Sequence, residues 1–179
     1  MDVFVEQIVK KTTSGRDTAL KLLIGIGIGV LSVVCVFIFF LMLPLAGLGL
    51  LLICGIFYGG YYLLTGLDCE YEYIVTNGEI DVDKIIAKRK RVRLVTAKAS
   101  LFEAFGEYSE SSPAAADGVT VVNAAGASDS ESAKNYYADF KHASAGNVRL
   151  IFTPEERVVD AIVPFMPAPL RISLKNNCR

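Results

Sequence analysis

The chain has 179 residues, of which 53% are hydrophobic and 21% are charged, and its formal net charge is -1. This nearly neutral charge argues against a general nucleic-acid-binding protein, which would be strongly basic. Residues 22–67 are 46 consecutive residues without Asp, Glu, Lys, Arg or His, and such a run excludes an ordinary soluble protein. Only residues 68–179 follow the run, so a large multidomain enzyme is excluded as well.

The first 21 residues are predicted to form an N-terminal amphipathic segment, residues 1–21. Apolar side chains at positions i, i+1, i+4 and i+5 predict a short amphipathic helix over residues 1–11. These side chains are Phe4, Val5, Ile8 and Val9. Two placements are open for this helix, because it could lie on the cytoplasmic membrane surface or pack on a soluble domain.

The apolar run over residues 22–67 predicts a transmembrane helical hairpin. A bilayer core of ~30 Å needs roughly 20 helical residues, so the run is too long for one span and suits two. Pro44, Gly47 and Gly49 predict a short turn between helices at about residues 22–43 and 48–64. Because lipid offers no hydrogen bonds to the backbone, both halves must be helical.

Basic residues near the two ends of the hairpin predict its orientation in the cell membrane. Four basic residues precede the first span, six follow the second between residues 84 and 93, and the turn has none. The positive-inside rule therefore places both chain termini in the cytoplasm. The spans contain no ionisable group of the kind that transporters and proton relays need, which favours the role of an anchor.

Glycines at four-residue spacing lie on one face of each predicted membrane helix. They are Gly25 and Gly29 in the first helix and Gly55 and Gly59 in the second. Such faces let membrane helices approach closely. They predict either packing within the hairpin or assembly with a second copy of the chain.

Residues 68–179 are predicted to form a small antiparallel β domain with a C-terminal helix. Alternating apolar residues predict strands before and after the turn Asn77-Gly78, which is a strong hairpin signal. The predicted strands run from residue 69 to that turn and over residues 79–86, about 91–98, 135–142 and 148–152. The order of strands then helix indicates an α+β fold.

Four other segments complete the expected domain. Residues 101–108 are predicted to form a short helix. Residues 109–133, rich in Ala, Ser and Gly, are predicted to form a long flexible loop, in which only residues 119–122 (VTVV) could gain order. A helix is expected after Thr153, which is a good N-cap, with Pro154 at the first helical position. The tail over residues 170–179 is predicted to add an edge strand.

Charge is sharply segregated in the first strands of this domain. Residues 68–83 hold six acidic residues and no base, whereas residues 84–93 hold six bases and no acid. A functional interpretation is a basic patch that binds anionic lipid headgroups or a protein partner. Its residues are Lys88, Arg89, Lys90, Arg91 and Arg93. The structural alternative is cross-strand pairing of the basic strand with the acidic one.

No pattern in the chain is typical of a catalytic, cofactor or metal site. The cysteines Cys35, Cys54, Cys69 and Cys178 form neither a disulfide framework nor a zinc pattern. His142, the single histidine, lies at a predicted strand end without a nucleophile beside it. We therefore expect no enzymatic activity, no cofactor and no metal, and no nucleic acid as partner.

Residues 73–82 (YIVTNGEIDV), the basic strand after them and the capped final helix resemble bacterial pleckstrin-homology-like (PH-like) domains. With residues 1–11 (MDVFVEQIVKK) and the hairpin, they are similar to an uncharacterised family of small bacterial two-helix membrane proteins. The resemblance implies a seven-stranded barrel, whereas periodicity predicts five strands. It implies no catalytic residues.

The sequence thus predicts a membrane-anchored binding or scaffolding module that presents a small β domain to a protein partner or to anionic lipid headgroups. The alternative is a structural or regulatory subunit of a membrane complex, assembled through the glycine-lined helices. An enzyme of unknown activity is the third hypothesis.

Overall fold

The computed structural model describes residues 2–12, 15–41, 46–109, 112, 115, 118–127 and 134–177. The chain divides into two compact units. One, called the helical unit here, is Thr13–Asp68; the other, called the β domain, combines Met1–Thr12 with Cys69–Arg179. The membrane hairpin predicted from the sequence is therefore an insertion in the β domain, after its first dozen residues.

Two helices form the helical unit, α1 over Gly15–Leu41 and α2 over Ala46–Gly66. At a rise of ~1.5 Å per residue they are about 40 and 32 Å long, and both are apolar enough to span a bilayer. No residue of α1 is buried within the chain. The predicted breaker Pro44 lies outside the described residues.

Eight strands form two sheets in the described part of the β domain. The first sheet is antiparallel, in the order β1-β2-β3-β4, with β1 Phe4–Lys10, β2 Cys69–Thr76, β3 Glu79–Ile86 and β4 Lys90–Lys98. The second has the order β5-β7-β8-β6, with β5 Phe102–Glu107, β6 Thr120–Ala124, β7 Tyr136–His142 and β8 Gly146–Phe152. Helices α3, Glu156–Ile162, and α4, Ala168–Asn177, follow. This architecture confirms the predicted α+β fold.

The two sheets share one hydrophobic core. The rings of Tyr73 on β2 and Phe152 on β8 meet edge to face, with their centroids 5.6 Å apart. Helix α3 closes the core with Val158 and Ile162, both fully buried. The turn Asn77-Gly78 joins β2 to β3 with positive φ at both residues, as the sequence predicted.

The prediction of an N-terminal helix was wrong, because these residues form strand β1. Val5, Gln7 and Val9 face the core opposite alternate residues of β2. Gln7 is 2% exposed and interrupts the apolar alternation in the sequence. Its amide is satisfied inside the domain, since Nε2 donates to the Thr153 carbonyl at 3.1 Å and Oε1 accepts from the Glu155 amide at 2.8 Å.

The short helix predicted over residues 101–108 is strand β5, preceded by a single turn of 3-10 helix at Ala99–Leu101. The pairing of β5 with β7 is irregular between Phe102 and Ala104. A bulge of this kind lets Phe102 and Phe105, three residues apart, both point into the core. The three-residue spacing of Phe102 and Phe105, which suggested a helix, therefore results from the bulge in β5.

Two further predictions were wrong in the second half of the domain. Within the predicted loop at 109–133, Thr120–Ala124 form β6, which pairs in parallel with β8. The predicted edge strand at the C-terminus is helix α4, in which Leu170 and Leu174, four residues apart, pack against the core.

Helix α3 begins at Glu156, later than its predicted start at Pro154. Thr153 caps nothing, because its hydroxyl donates to Asn135 Oδ1 at 2.7 Å and accepts from the Gly126 amide at 3.1 Å. The eight strands among the described residues exceed the five that periodicity predicted.

Candidate functional site

The face of the first sheet that points away from the core carries a ladder of ion pairs. Arg91 Nη2 lies 3.0 Å from Glu72 Oε1, and Arg93 Nη1 lies 2.8 Å from Asp81 Oδ1. Arg93 also pairs with Asp83. The predicted cross-strand pairing of the basic strand with the acidic strands is therefore confirmed.

Two carboxylates of this ladder are buried, although they face away from the core. The side chains of Glu72 and Asp83 are 1% and 5% exposed, and the two residues are direct neighbours across β2 and β3. Asp83 is held by Arg93, and the hydrogen bond to Asp83 raises the pKa of the Arg93 guanidinium above its usual range.

The charge of the Glu72 carboxylate is less well balanced by neighbouring groups than that of Asp83. Its Oε1 accepts from Arg91, but Oε2 is buried and has no hydrogen-bond partner among the described residues. Burial raises the pKa of Glu72; Arg91 opposes the rise, and the nearby carboxylates of Glu6 and Asp83 add to it.

Four cationic residues meet at the turn between β3 and β4, and we call them the basic tip. They are Lys88, Arg89, Lys90 and Arg91. The turn bends sharply because Ala87 and Lys88 both have φ of 55°. The side chains of Lys88 and Arg91 are 79% and 57% exposed.

A pocket of about 320 Å³ lies at the basic tip. All four tip residues line it, together with Glu70 from β2 and Ile85 from β3. Lys88 Nζ is 3.9 Å from Glu70 Oε1, so part of the positive charge is balanced locally. Guanidinium and ammonium donors around a concave surface suit an anionic oxygen group such as a phosphate.

The structure brings together four of the five predicted site residues. Arg93 does not line the pocket, because it turns to Asp81 and Asp83. Sequence reasoning missed Glu70 and Ile85, which reach the pocket only through the register of β2 and β3.

The pocket lies at the end of the first sheet from which the chain leaves for the helical unit. The Lys11 amide donates to the Cys69 carbonyl at 2.9 Å and closes the pairing of β1 with β2 at this end. Cys69 in turn pairs with Ile86, the last residue of β3 before the basic tip.

The helices of the helical unit pack through glycines other than the four predicted ones. A Cβ at Gly49 would collide with Phe39, and a Cβ at Gly60 would collide with Ile28. By contrast, a Cβ at any of the predicted glycines would have no atom within 4 Å apart from its chain neighbours and the backbone of its own helix. These glycines are Gly25, Gly29, Gly55 and Gly59. Their faces are open, so they do not pack within this hairpin.

Other reactive side chains of the described residues form no cluster near the basic tip. His142 Nδ1 lies 3.1 Å from Ser144 Oγ at the turn between β7 and β8. Cys35, Cys54 and Cys69 are free thiols, and Cys178 lies outside the described residues.

The chain matches a known protein family over most of its length. A family model described as a bacterial PH-like domain (DUF6106) matches residues 1–172, which include β1, the helical unit and nearly all of the β domain. No curated protein matches the chain, and no solved structure does.

Proposed function

The chain belongs to this family of bacterial PH-like domains, and from that premise we propose that it is a membrane-anchored module that binds anionic phospholipid headgroups. One observation carries the proposal: four cationic side chains line a pocket at the sheet end where both connections to the helical unit leave.

The helical unit supports the role of an anchor. Both helices have the length and apolarity of membrane spans, and their large apolar side chains are exposed, as with Phe40 at 74% and Leu51 at 69%. In a bilayer these side chains would contact lipid tails, which removes the cost of exposing them to water.

The pairing of β1 with β2 supports two spans that return to the same side of the membrane. These strands flank the helical unit in the sequence, and they pair over seven residue positions from Phe4 to Lys10. Basic residues before α1 and at the tip favour the cytoplasmic side for both termini.

Anionic lipid is the ligand that this location favours. Only residues 67 and 68 connect the end of α2 to the start of β2, the strand that contributes Glu70 to the pocket. Each Lys or Arg near an anionic bilayer surface contributes ~1 kcal/mol to binding, and the basic tip has four.

The test uses the full chain in nanodiscs of phosphatidylcholine, a zwitterionic lipid without net charge. The probe is glycerophosphoglycerol, the water-soluble headgroup of phosphatidylglycerol, and NMR shifts of the Arg side chains give its dissociation constant. Reversing Lys88 and Arg89 to Glu is expected to weaken binding about tenfold or more, equivalent to ~1.4 kcal/mol.

The matched control reverses the same number of charges away from the pocket, at Lys98 and Lys141. Both residues are exposed and face carboxylates of their own sheets. Headgroup binding that is unchanged by the tip reversal, or weakened equally by the control, would contradict the proposal.

A second function is supported by the open glycine faces, namely a structural subunit whose helices pack against another membrane helix. Gly29→Leu and Gly59→Leu are expected to reduce cross-linked oligomers of the full chain in membranes. Cross-linking that survives both changes would remove this alternative.

A further inference from the structure

Arg91 contributes both to the pocket at the basic tip and to the ladder of ion pairs. Its guanidinium lines the pocket at the basic tip, and its Nη2 is the partner of Glu72 Oε1 at 3.0 Å. The Arg91 side chain is 57% exposed, whereas that of Glu72 is 1% exposed. Arg91 can therefore turn towards a ligand in the pocket, but Glu72 cannot follow it.

Glu72 depends on Arg91 for its charge balance. The other three strands of the first sheet contribute charged groups to the same face as Glu72. They are Glu6 and Lys10 from β1, Asp83 from β3, and Arg91 and Arg93 from β4. Among the described residues, Arg91 is the one cation within 4.0 Å of the Glu72 carboxylate, and Arg93 is engaged by Asp81 and Asp83.

We propose that an anion bound at the basic tip draws Arg91 away from Glu72, and that the Glu72 carboxylate then takes up a proton from solvent. This inference rests on the proposed headgroup site and assigns it a regulation: acid strengthens binding. A carboxylate that is buried without its cation is strongly disfavoured as an anion, and protonation removes that charge.

Even without a ligand, the surroundings of Glu72 favour protonation of its carboxylate. Burial raises the pKa of Glu72 before any ligand arrives, and loss of Arg91, which holds the pKa down, raises it further. Since the bound state holds more protons, affinity falls as pH rises between the two pKa values. For one proton the slope reaches at most about tenfold per pH unit.

The experiment again uses the full chain in phosphatidylcholine nanodiscs and glycerophosphoglycerol. This probe is a phosphodiester, so its own charge is constant over the pH range tested. For the unaltered chain, we expect the dissociation constant to be at least about fivefold lower at about pH 5 than at about pH 8.

Two variants separate Glu72 from the other carboxylates of the sheet. Glu72→Gln is expected to bind equally well at both pH values, with the affinity that the unaltered chain shows in acid. Glu79→Gln, which removes an exposed carboxylate paired to Lys98 at 3.9 Å, is expected to keep the full pH dependence.

A direct readout does not depend on any variant. The ¹³C shift of the Glu72 carboxyl reports its protonation, and we expect its titration midpoint to move to higher pH when the probe is added. Absence of probe binding at both pH values would overturn the proposed function itself. Equal affinity at both pH values with an unmoved midpoint, or pH dependence that survives Glu72→Gln, would overturn the proton coupling alone.

Discussion

The helical unit and the β domain follow opposite rules for the same kinds of side chain. The helical unit exposes large apolar residues such as Phe40 and packs its helices where Gly49 and Gly60 leave room. The β domain buries its large apolar residues and gives Tyr73 and Gln7, which are polar and buried, protein partners. This difference is the one expected if lipid surrounds the helical unit and water surrounds the β domain.

The comparison also shows that the two units are not independent along the chain. Strand β1 precedes the helical unit, yet its Val9 is 1% exposed in the core of the β domain. The β domain is therefore complete only with residues from both sides of the insertion.

Removal of β1 is expected to have the largest effect. A fragment of residues 69–179 lacks Val9 and Gln7 and leaves β2 as an unpaired edge. Burial of one Val side chain alone is worth ~1.5–3 kcal/mol, so the fragment is expected to lose cooperative unfolding in urea. The matched chain joins residues 1–12 to residues 69–179 through a two-residue turn and is expected to fold as a soluble protein. If the shorter fragment unfolds as cooperatively as this fusion, β1 is not part of the core.

An arginine introduced into each unit tests whether lipid surrounds the helical unit and water surrounds the β domain. Val30 lies near the middle of α1 and is 60% exposed, and Val121 on β6 is 48% exposed. Val30→Arg is expected to oppose membrane insertion by ~2.5–3.5 kcal/mol, whereas Val121→Arg changes stability by about 0.5 kcal/mol or less. Resistance to alkaline extraction from membranes measures the first effect and urea unfolding the second. A Val30→Arg variant that resists alkaline extraction as fully as the unaltered chain would contradict the assignment of Val30 to a lipid-facing position.

Loss of one tyrosine hydroxyl in each unit is expected to have a smaller effect. Tyr73 donates to the Ala124 carbonyl at 2.5 Å and accepts from the Thr153 amide at 3.2 Å, so Tyr73→Phe removes one hydrogen-bond partner from each of two buried backbone groups. We expect a loss of about 1–3 kcal/mol in the free energy of unfolding. Tyr61→Phe, at a side chain 64% exposed on α2, is expected to change nothing measurable by the same urea titration. Equal losses of unfolding free energy for Tyr73→Phe and Tyr61→Phe would contradict this difference between the β domain and the helical unit.

The smallest effect concerns pH and Glu72, the one carboxylate among the described residues that has a buried oxygen without a hydrogen-bond partner. Burial raises the pKa of Glu72 above its ordinary value of about 4.5, so protonation favours the folded state. The unaltered domain is therefore most stabilised by Glu72 below that value and loses this contribution as pH rises through the raised pKa. Glu72→Gln is expected to gain stability relative to the unaltered fusion protein as pH rises over that window. A difference in unfolding free energy that does not change with pH would contradict the assignment.

The fold was predictable from sequence where periodicity was regular. The strands around Asn77-Gly78 followed from it directly, whereas the two helices of the hairpin followed from the length of the uncharged apolar run. Strand β1 did not, because Gln7 occupies a core position that only the contacts with Thr153 and Glu155 explain. Strand β6 did not, because its parallel partner β8 lies far along the chain.

Only the basic residues of the candidate site were predictable from the sequence. The basic residues of the tip are consecutive, so the sequence alone identifies them as a cluster. Arg93 belonged to the same run, but its pairing with Asp81 and Asp83 depends on strand register. The dependence of Glu72 on Arg91 could not be predicted, since alternation places Glu72 on the outer face and gives no sign that it is buried.

The position of the helical unit between β1 and β2 has a consequence for biosynthesis. Strand β1 leaves the ribosome about 60 residues before β2, which at the usual rate of translation is a delay of about 3 to 12 s. During this interval both helices are made, and β1 has no strand to pair with. If the two helices insert in a membrane, β1 and β2 can pair only after the hairpin has returned the growing chain to the side of the membrane on which β1 lies. Membrane insertion would then have to precede completion of the first sheet.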